Sequence, residues 1–418
     1  MKFFTYKKFH QTVGGKITIA LLCFFLAVSL LLTPWGNLAL KPLIQKRLTA
    51  LSATEITVQE LRLGFNKFHI VCTDSASNIL SAHGGFSLLT LRMYGHYDLL
   101  FTKASLGANP LPFTWKTSGA LSGGIAAFDI IGRAILGRGE IHYLLELHRF
   151  NLSIIDLKID SVPLVPFIRL MHYPADNDTT LYGKLHLSGI DKRDIKGQLS
   201  LKTRTEHFTP TQFLSDDSNE SLNLKKLLAD ESGIVSPFKI DLTANIFLNE
   251  AGVIEQFVGI PLHGEADLSG FIQGDEKHLI LHAHSTLSDS NTHSTLTIND
   301  LEPSHLSLHI QHADIGSLFH FLTLPAPLEG KLNADADLTP KGGLITLSLA
   351  NTRTVPKVLR DDYNLTQPAT RFNASLSANL SDIEVHYKGL FKSDLTRMEI
   401  DNTTTHDQML RELLRSIR

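Results

Sequence analysis

Cysteine is nearly missing from this chain. Cys23 and Cys72 are the two among 418 residues, and Cys23 lies in an apolar N-terminal run, so Cys72 has no partner for a disulfide-stapled domain. An excess of one charge sign is missing as well. The 39 lysines and arginines are nearly matched by 42 acids, for a formal net charge of -3, which argues against a nucleic-acid-binding surface. No Gly-x-Ser-x-Gly elbow, phosphate-binding glycine loop, dinucleotide fingerprint, Cys-x-x-Cys pair or His-Glu-x-x-His helix occurs, so no enzyme activity, cofactor or metal centre is expected. With 43% of residues apolar and 19% charged, the composition is that of a folded protein rather than a disordered one. The length suits two comparable units or one extended one.

Long apolar runs are few; there is one. From Ile17 to Leu40 no residue carries a charge, and at ~1.5 Å per residue this run makes roughly 36 Å of helix, enough for a hydrocarbon core of about 30 Å. Lys2, Lys7, Lys8 and Lys16 precede it without an acid. That bias leaves residues 1–16 as a cytoplasmic basic tail and sends the chain beyond 40 across the membrane, with Trp35 placed as an interfacial anchor. A cleaved signal peptide is the competing reading, and Ala27-Val28-Ser29 is the nearest small-x-small site, but three leucines follow it inside the run. Single-pass anchoring at 17–40 is therefore expected. Seven basic residues precede the first acid, Glu55, so the remainder carries 32 basic against 42 acidic side chains, a net -10.

Beyond the anchor, helical spacing continues from Lys41 to Leu51, and from about Ile56 the period changes to two. Phe238, Ile240, Leu242, Ala244, Ile246 and Leu248 alternate with polar neighbours, as do Leu328 through Leu338 and Phe372 through Leu380. Shorter stretches repeat the pattern at Gly183 to Gly189, Leu199 to Leu201, Ile345 to Leu349 and Ile383 to Tyr387. Parallel strands covered on both faces would read as unbroken apolar runs, so the alternation predicts a largely antiparallel sheet with one greasy and one wet face. A bent sheet of this kind can hold an open apolar groove; the same alternation also suits a two-sheet sandwich whose apolar faces meet.

Helical signals are confined to Val162–Met171, Asp314–Leu322, Glu220–Asp230 and the amphipathic stretch Asp407–Ile417. The expected organisation is a first β-rich region over 41–214, a polar linker over 215–236, a second β-rich region over 237–400 and a C-terminal amphipathic helix over 401–418. Histidine is abundant at 20, seven of them between His278 and His312. His282 and His284 share a strand face, as do His305 and His309, which would suit zinc or copper; the stronger reading is the solvated side of strands whose other side is apolar. Asp335 and Asp337 are read the same way.

A unit recurs within the chain. Asp160 through Leu170 leads through a prolyl loop into Leu181-Tyr182-Gly183-Lys184-Leu185, and Asp314 through Leu322 leads through a prolyl turn into Leu328-Glu329-Gly330-Lys331-Leu332. With the basic anchor and the Gly-punctuated alternating strands, this unit resembles the AsmA-like proteins, related to TamB, of Gram-negative envelopes. The likeness is one of pattern over most of residues 15 to 400, in a chain shorter than the large members of that family. It implies an inner-membrane anchor holding a periplasmic β-groove that conducts lipid and supports outer-membrane homeostasis.

The fold class expected is mainly β: an N-terminal transmembrane helix, then an elongated, largely antiparallel β-groove or sandwich with a few short helices. Leu185, Leu187, Leu242, Ile246, Leu332 and Leu338 are the candidates for lining the groove. The expected function is that of a non-enzymatic protein of the bacterial inner membrane, N-terminus cytoplasmic and bulk periplasmic, that binds or conducts lipid. Membrane lipid is the expected partner, with envelope proteins or a second copy as further ones. The alternatives are a structural or assembly factor of an envelope complex such as a secretion machine, binding protein with the same β body, and an anchored hydrolase.

Overall fold

The computed structural model describes residues 32–51, 55–75, 77–87, 90–101, 105–106, 109–110, 114–124, 126–149, 151–164, 178–206, 236–254, 262–366, 368–381, 384–393 and 396–405. Most of the expected anchor, residues 165–171 of the helix expected at Val162–Met171, the helix expected at Glu220–Asp230, nearly all of the 215–236 linker and residues 406–418 lie outside them, while residues 401–405, expected to begin the C-terminal helix, end a strand instead. No described helix is long and apolar enough to cross a membrane. The chain divides into two compact units, 1–152 and 153–418. That division lies inside a strand rather than in the polar stretch at 215–236.

The first unit opens with helix α1 (Pro34–Leu51) and a seven-strand antiparallel meander: β1 (Ile56–Leu63), β2 (Lys67–Asp74), β3 (Ile79–Ser87), β4 (Arg92–Phe101), β7 (Trp115–Gly124), β8 (Ala127–Leu136) and β9 (Gly139–His148). A two-residue hairpin, β5 (Ser105–Leu106) with β6 (Asn109–Pro110), stands between β4 and β7. An edge strand presents unpaired N–H and C=O groups and needs cover. Here α1 supplies it, because Asn37, Lys41, Gln45 and Thr49 recur every four residues and so share one side of the helix. Asn37 accepts from the Leu63 amide and donates to its carbonyl (3.1 and 3.2 Å), and Lys41 donates to the Gln59 carbonyl at 3.1 Å. Gln45 accepts from the Val58 amide at 3.3 Å, and Thr49 bonds both backbone groups of Ile56. Four polar side chains thereby replace a missing strand along the free edge of β1.

The second unit holds thirteen strands: β10 (Asn151–Pro163), β11 (Thr179–Ser188), β12 (Asp194–Thr205), β13 (Lys239–Leu248), β14 (Ala266–Asp275), β15 (His278–Ser285), β16 (Asn291–Asn299), β17 (Glu302–Asp314), β18 (Leu328–Thr339), β19 (Gly342–Thr354), β20 (Arg371–Ser381), β21 (Glu384–Ser393) and β22 (Arg397–Thr405). Each pairs antiparallel with the next except β12 and β13, which run parallel from Asp194↔Lys239 to Lys202↔Phe247. A parallel pair requires a crossover of a dozen residues or more, and the segment 206–238 is that crossover. The expected mainly-β, largely antiparallel architecture is observed.

Apart from the crossover 206–238, which passes from one end of the strands to the other, this alternation of direction sends the longest connections to one rim. The segments after β10, β13, β15, β17 and β19 all leave at the same end of the strands, whereas the opposite rim has two-residue turns such as Glu276–Lys277, Asp300–Leu301 and Pro340–Lys341. The rim with long connections carries helices α2 (Ile315–Phe321) and α3 (Pro356–Asp361). Asp314 caps α2 by accepting from the Ser317 amide at 2.8 Å, as an Asp ahead of an apolar helix should.

A two-residue bulge recurs three times, in β10, β17 and β19, with a register that the Leu-x-Gly-Lys-Leu motif does not give. Pairing skips two residues between Ile159 and Val162, between Ile310 and Ala313, and between Leu349 and Thr352. In each bulge the second skipped residue has positive φ: Ser161 at 52°, His312 at 58° and Asn351 at 53°. The residue after it, Val162, Ala313 or Thr352, is buried. The strand opposite supplies the partner: Asn333 accepts from the His312 amide and Asn373 from the Asn351 amide (2.8 and 2.9 Å), while the Ser161 hydroxyl donates to the Tyr182 hydroxyl at 3.1 Å. Leu181 therefore corresponds to Leu332, not to Leu328, and Phe372 is the third equivalent. The first two unit residues expected in a helix, Val162 and Pro163, instead end β10.

Candidate functional site: an uncovered apolar face

Register fixes which side chains of the second unit share a face, because residues directly opposite one another point the same way. Leu157 pairs with Leu185, Leu185 with Leu199 and Leu199 with Ala244, and the row continues through Gly270 and Ala283. A neighbouring row runs from Leu187 through Leu242, Ile272, Leu281, Leu296, Leu306 and Leu338. Towards β22, Leu332 pairs with Leu349, Leu349 with Ala374, Ala374 with Phe391 and Phe391 with Met398. All six expected groove positions, Leu185, Leu187, Leu242, Ile246, Leu332 and Leu338, fall on this one apolar face. At about 4.8 Å per strand it extends across roughly 58 Å of sheet.

The face is not closed by a second sheet among the described residues. In a sandwich the facing side chains of both sheets are sealed from water. Here each of the six candidates is half-buried, and Leu376, Met398 and Ile400 on the same face are 38%, 51% and 45% exposed. Full burial is instead concentrated at the rims, at Val162, Leu248, Ala313, Ile315 and Leu359 beside the long connections and at Leu279, Ile298, Leu301 and Val385 beside the tight turns. Over β18–β22 the open middle forms a cavity of about 340 Å³ lined by Leu332, Leu347, Leu349, Leu376, Phe391, Met398 and Ile400.

The other face is polar and carries the histidines. His284 and His293 rings lie 4.7 Å apart and His282 and His293 6.1 Å, while His305 and His309 bond to Asp337 and Asp335 at 2.9 and 2.7 Å. The sharing of a face by His282 and His284, and by His305 and His309, is observed. No group of side chains with metal-holding geometry exists among the described residues. These contacts are exposed hydrogen bonds and ring contacts on the wet side of strands, which contribute little to stability.

The first unit has an equivalent apolar face with a feature the sequence did not announce. Tyr97 of β4 and Tyr143 of β9 reach towards one another across β7 and β8, where Gly119 and Gly132 are the intervening residues of the register row. A Cβ on Gly132 would overlap both phenols, so the two glycines make the floor on which the rings lie. The hydroxyls meet at 2.5 Å, and Thr117 Oγ1 lies 2.5 Å from the Tyr143 hydroxyl. Burial, and after it the hydrogen bond with Tyr143, pushes the Tyr97 phenol well above its ordinary pKa, and either hydroxyl of the pair can donate. Two residues from Thr117 on the same face, Trp115 packs against Phe101 with ring centroids 5.5 Å apart. Period-two reading caught neither tyrosine, since the signal lies in glycines two strands away.

Comparison of the chain with protein-family models, with curated proteins and with solved structures finds no match. Geometry and sequence pattern carry the functional reading.

Proposed function

We propose that this chain is an AsmA-like, single-pass protein of the bacterial inner membrane that receives lipid acyl chains on its apolar β-faces, holding them in the periplasm in support of outer-membrane homeostasis. The observation that carries the reading is the thirteen-strand apolar face of the second unit, half-exposed along its middle and sealed at its rims. Monomeric folds rarely leave so large an apolar patch uncovered unless something occupies it.

The energetics suit passage rather than capture. Lifting a sixteen-carbon chain into water costs about 13 kcal/mol at ~0.8 kcal/mol per methylene. A face of Leu, Ile, Phe and Met side chains removes most of that cost without being more apolar than the bilayer itself. Lipid can then enter and leave with little net change, which a conduit needs. The chemistry is binding and guidance, without catalysis.

The test is transfer of a fluorescent phospholipid from proteoliposomes containing the full chain to acceptor vesicles. We expect Leu242→Asp or Leu332→Asp to slow transfer at least tenfold with thermal unfolding little changed, because both positions are half-buried and tolerate hydration. Absence of protein-dependent transfer by the native chain would sink the reading. One observation favours the second reading, a structural or assembly factor: β22 pairs with β21 alone among the described residues, leaving an edge to which a protein strand can add. Crosslinking of β22 to another envelope protein, with no lipid on the apolar face, would select it.

A further inference from the structure

The first unit's apolar face contains one spot rich in hydrogen-bond donors. Trp115, two residues from Thr117 on the same face at the end of β7, adds an indole N–H beside the three linked hydroxyls of Thr117, Tyr143 and Tyr97, making four N–H or O–H hydrogens on this part of the face. Two hydrogen bonds join the three hydroxyls. Trp115 Nε1 is buried and has no acceptor within reach. Two of the four hydrogens are therefore unspent. A buried indole N–H without a partner is costly and calls for an explanation.

Acceptor chemistry follows from what surrounds the spot. A group that enters must bring lone pairs and no hydrogens, and must arrive attached to something greasy, since Phe101, Leu99, Ala134 and Leu136 are the neighbours on this face. A phosphate would find no cation there: Lys116, Arg133 and Arg92 belong to the opposite face by register. A carbonyl oxygen has two lone pairs, no charge and, in an acylated lipid, a hydrocarbon chain on one side.

We propose that Trp115 and the Thr117–Tyr143–Tyr97 hydroxyl chain form a binding site for the acyl carbonyl oxygen of a lipid whose hydrocarbon lies along the face beyond. The inference rests on the proposed function and adds a chemical requirement to it: the cargo is acylated, not merely hydrophobic. Turning of the Trp115 ring admits the oxygen, because its Nε1 is closed to solvent. The site then distinguishes an ester-linked lipid from an ether-linked one of the same chain length, which has no carbonyl.

The experiment uses the full chain in proteoliposomes of either diester or diether phosphatidylglycerol, with transfer to acceptor vesicles measured for each. One or two recovered hydrogen bonds favour the diester by about fivefold. Trp115→Phe, which keeps the aromatic body, should bring that ratio close to one, and Thr117→Val should reduce it in part. Because the chain has two tryptophans and Trp35 is exposed, Trp115 emission in a Trp35→Phe background gives a second readout that needs no binding-site variant. It should shift to the red in diester and not in diether vesicles. Equal transfer of both lipids by the native chain, with no difference in emission, overturns the carbonyl site and leaves the apolar face standing. Transfer of neither lipid overturns both.

Discussion

Gly330 and Thr352 show how much one position can depend on a distant one. Gly330 has φ of 145°, and a Cβ there would meet Thr352 Cα at 2.8 Å and Oγ1 at 2.9 Å, while Thr352 itself is fully buried beside the bulge in β19. Gly330→Ala should therefore destabilise the second unit by about 1–3 kcal/mol, measured by chemical denaturation; a change below about 0.5 kcal/mol would contradict it. The glycine was visible in the sequence as part of Leu-x-Gly-Lys-Leu. Its role was not, because the constraint comes from a bulge on the neighbouring strand. Cys72 is simpler: it is 2% exposed on β2, and burial pushes its thiol pKa up. In a Cys23→Ser background it should resist alkylation at pH 8 under native conditions and react readily in denaturant.

Among the elements, α2 was legible because its signals are local: Asp314 precedes an apolar run and caps it. The Ser317 amide, assisted by Lys331, holds the Asp314 carboxyl below its ordinary 3.8. A depressed folded pKa gives stability that is complete above 3.8 and is lost as pH falls through the lower folded value. Asp314→Ala should cost about 1 kcal/mol at pH 7, Asp314→Asn less, and the gap between native protein and Asp314→Asn should narrow below pH 3.8. The row Asn37, Lys41, Gln45 and Thr49 on α1 was not legible. Its helical spacing was plain, but its partners are backbone groups of an edge strand, which leave no trace in side-chain pattern. Asn37→Ala with Gln45→Ala should uncover the edge of β1 and raise self-association in light scattering; a protein that keeps its particle mass and melting temperature would refute the edge-cover role.

At the scale of the whole molecule, period two identified the sheet, its largely antiparallel pairing and all six positions that share the apolar face. It could not separate groove from sandwich, because both arrangements make every second residue apolar. The distinction lies in exposure, in the half-buried Leu185, Leu242 and Leu332 and the open Leu376, Met398 and Ile400. Nor could alternation find the division at residue 152, which falls within continuous strand pattern. The most direct measurement of the central claim is photocrosslinking from single positions of the full chain in a membrane. Probes replacing Leu376 and Ile400 on the apolar face should capture lipid, and probes replacing Ser377 and Asp401 on the opposite face should not. Equal capture from both faces, or none from Leu376 and Ile400, would contradict the account.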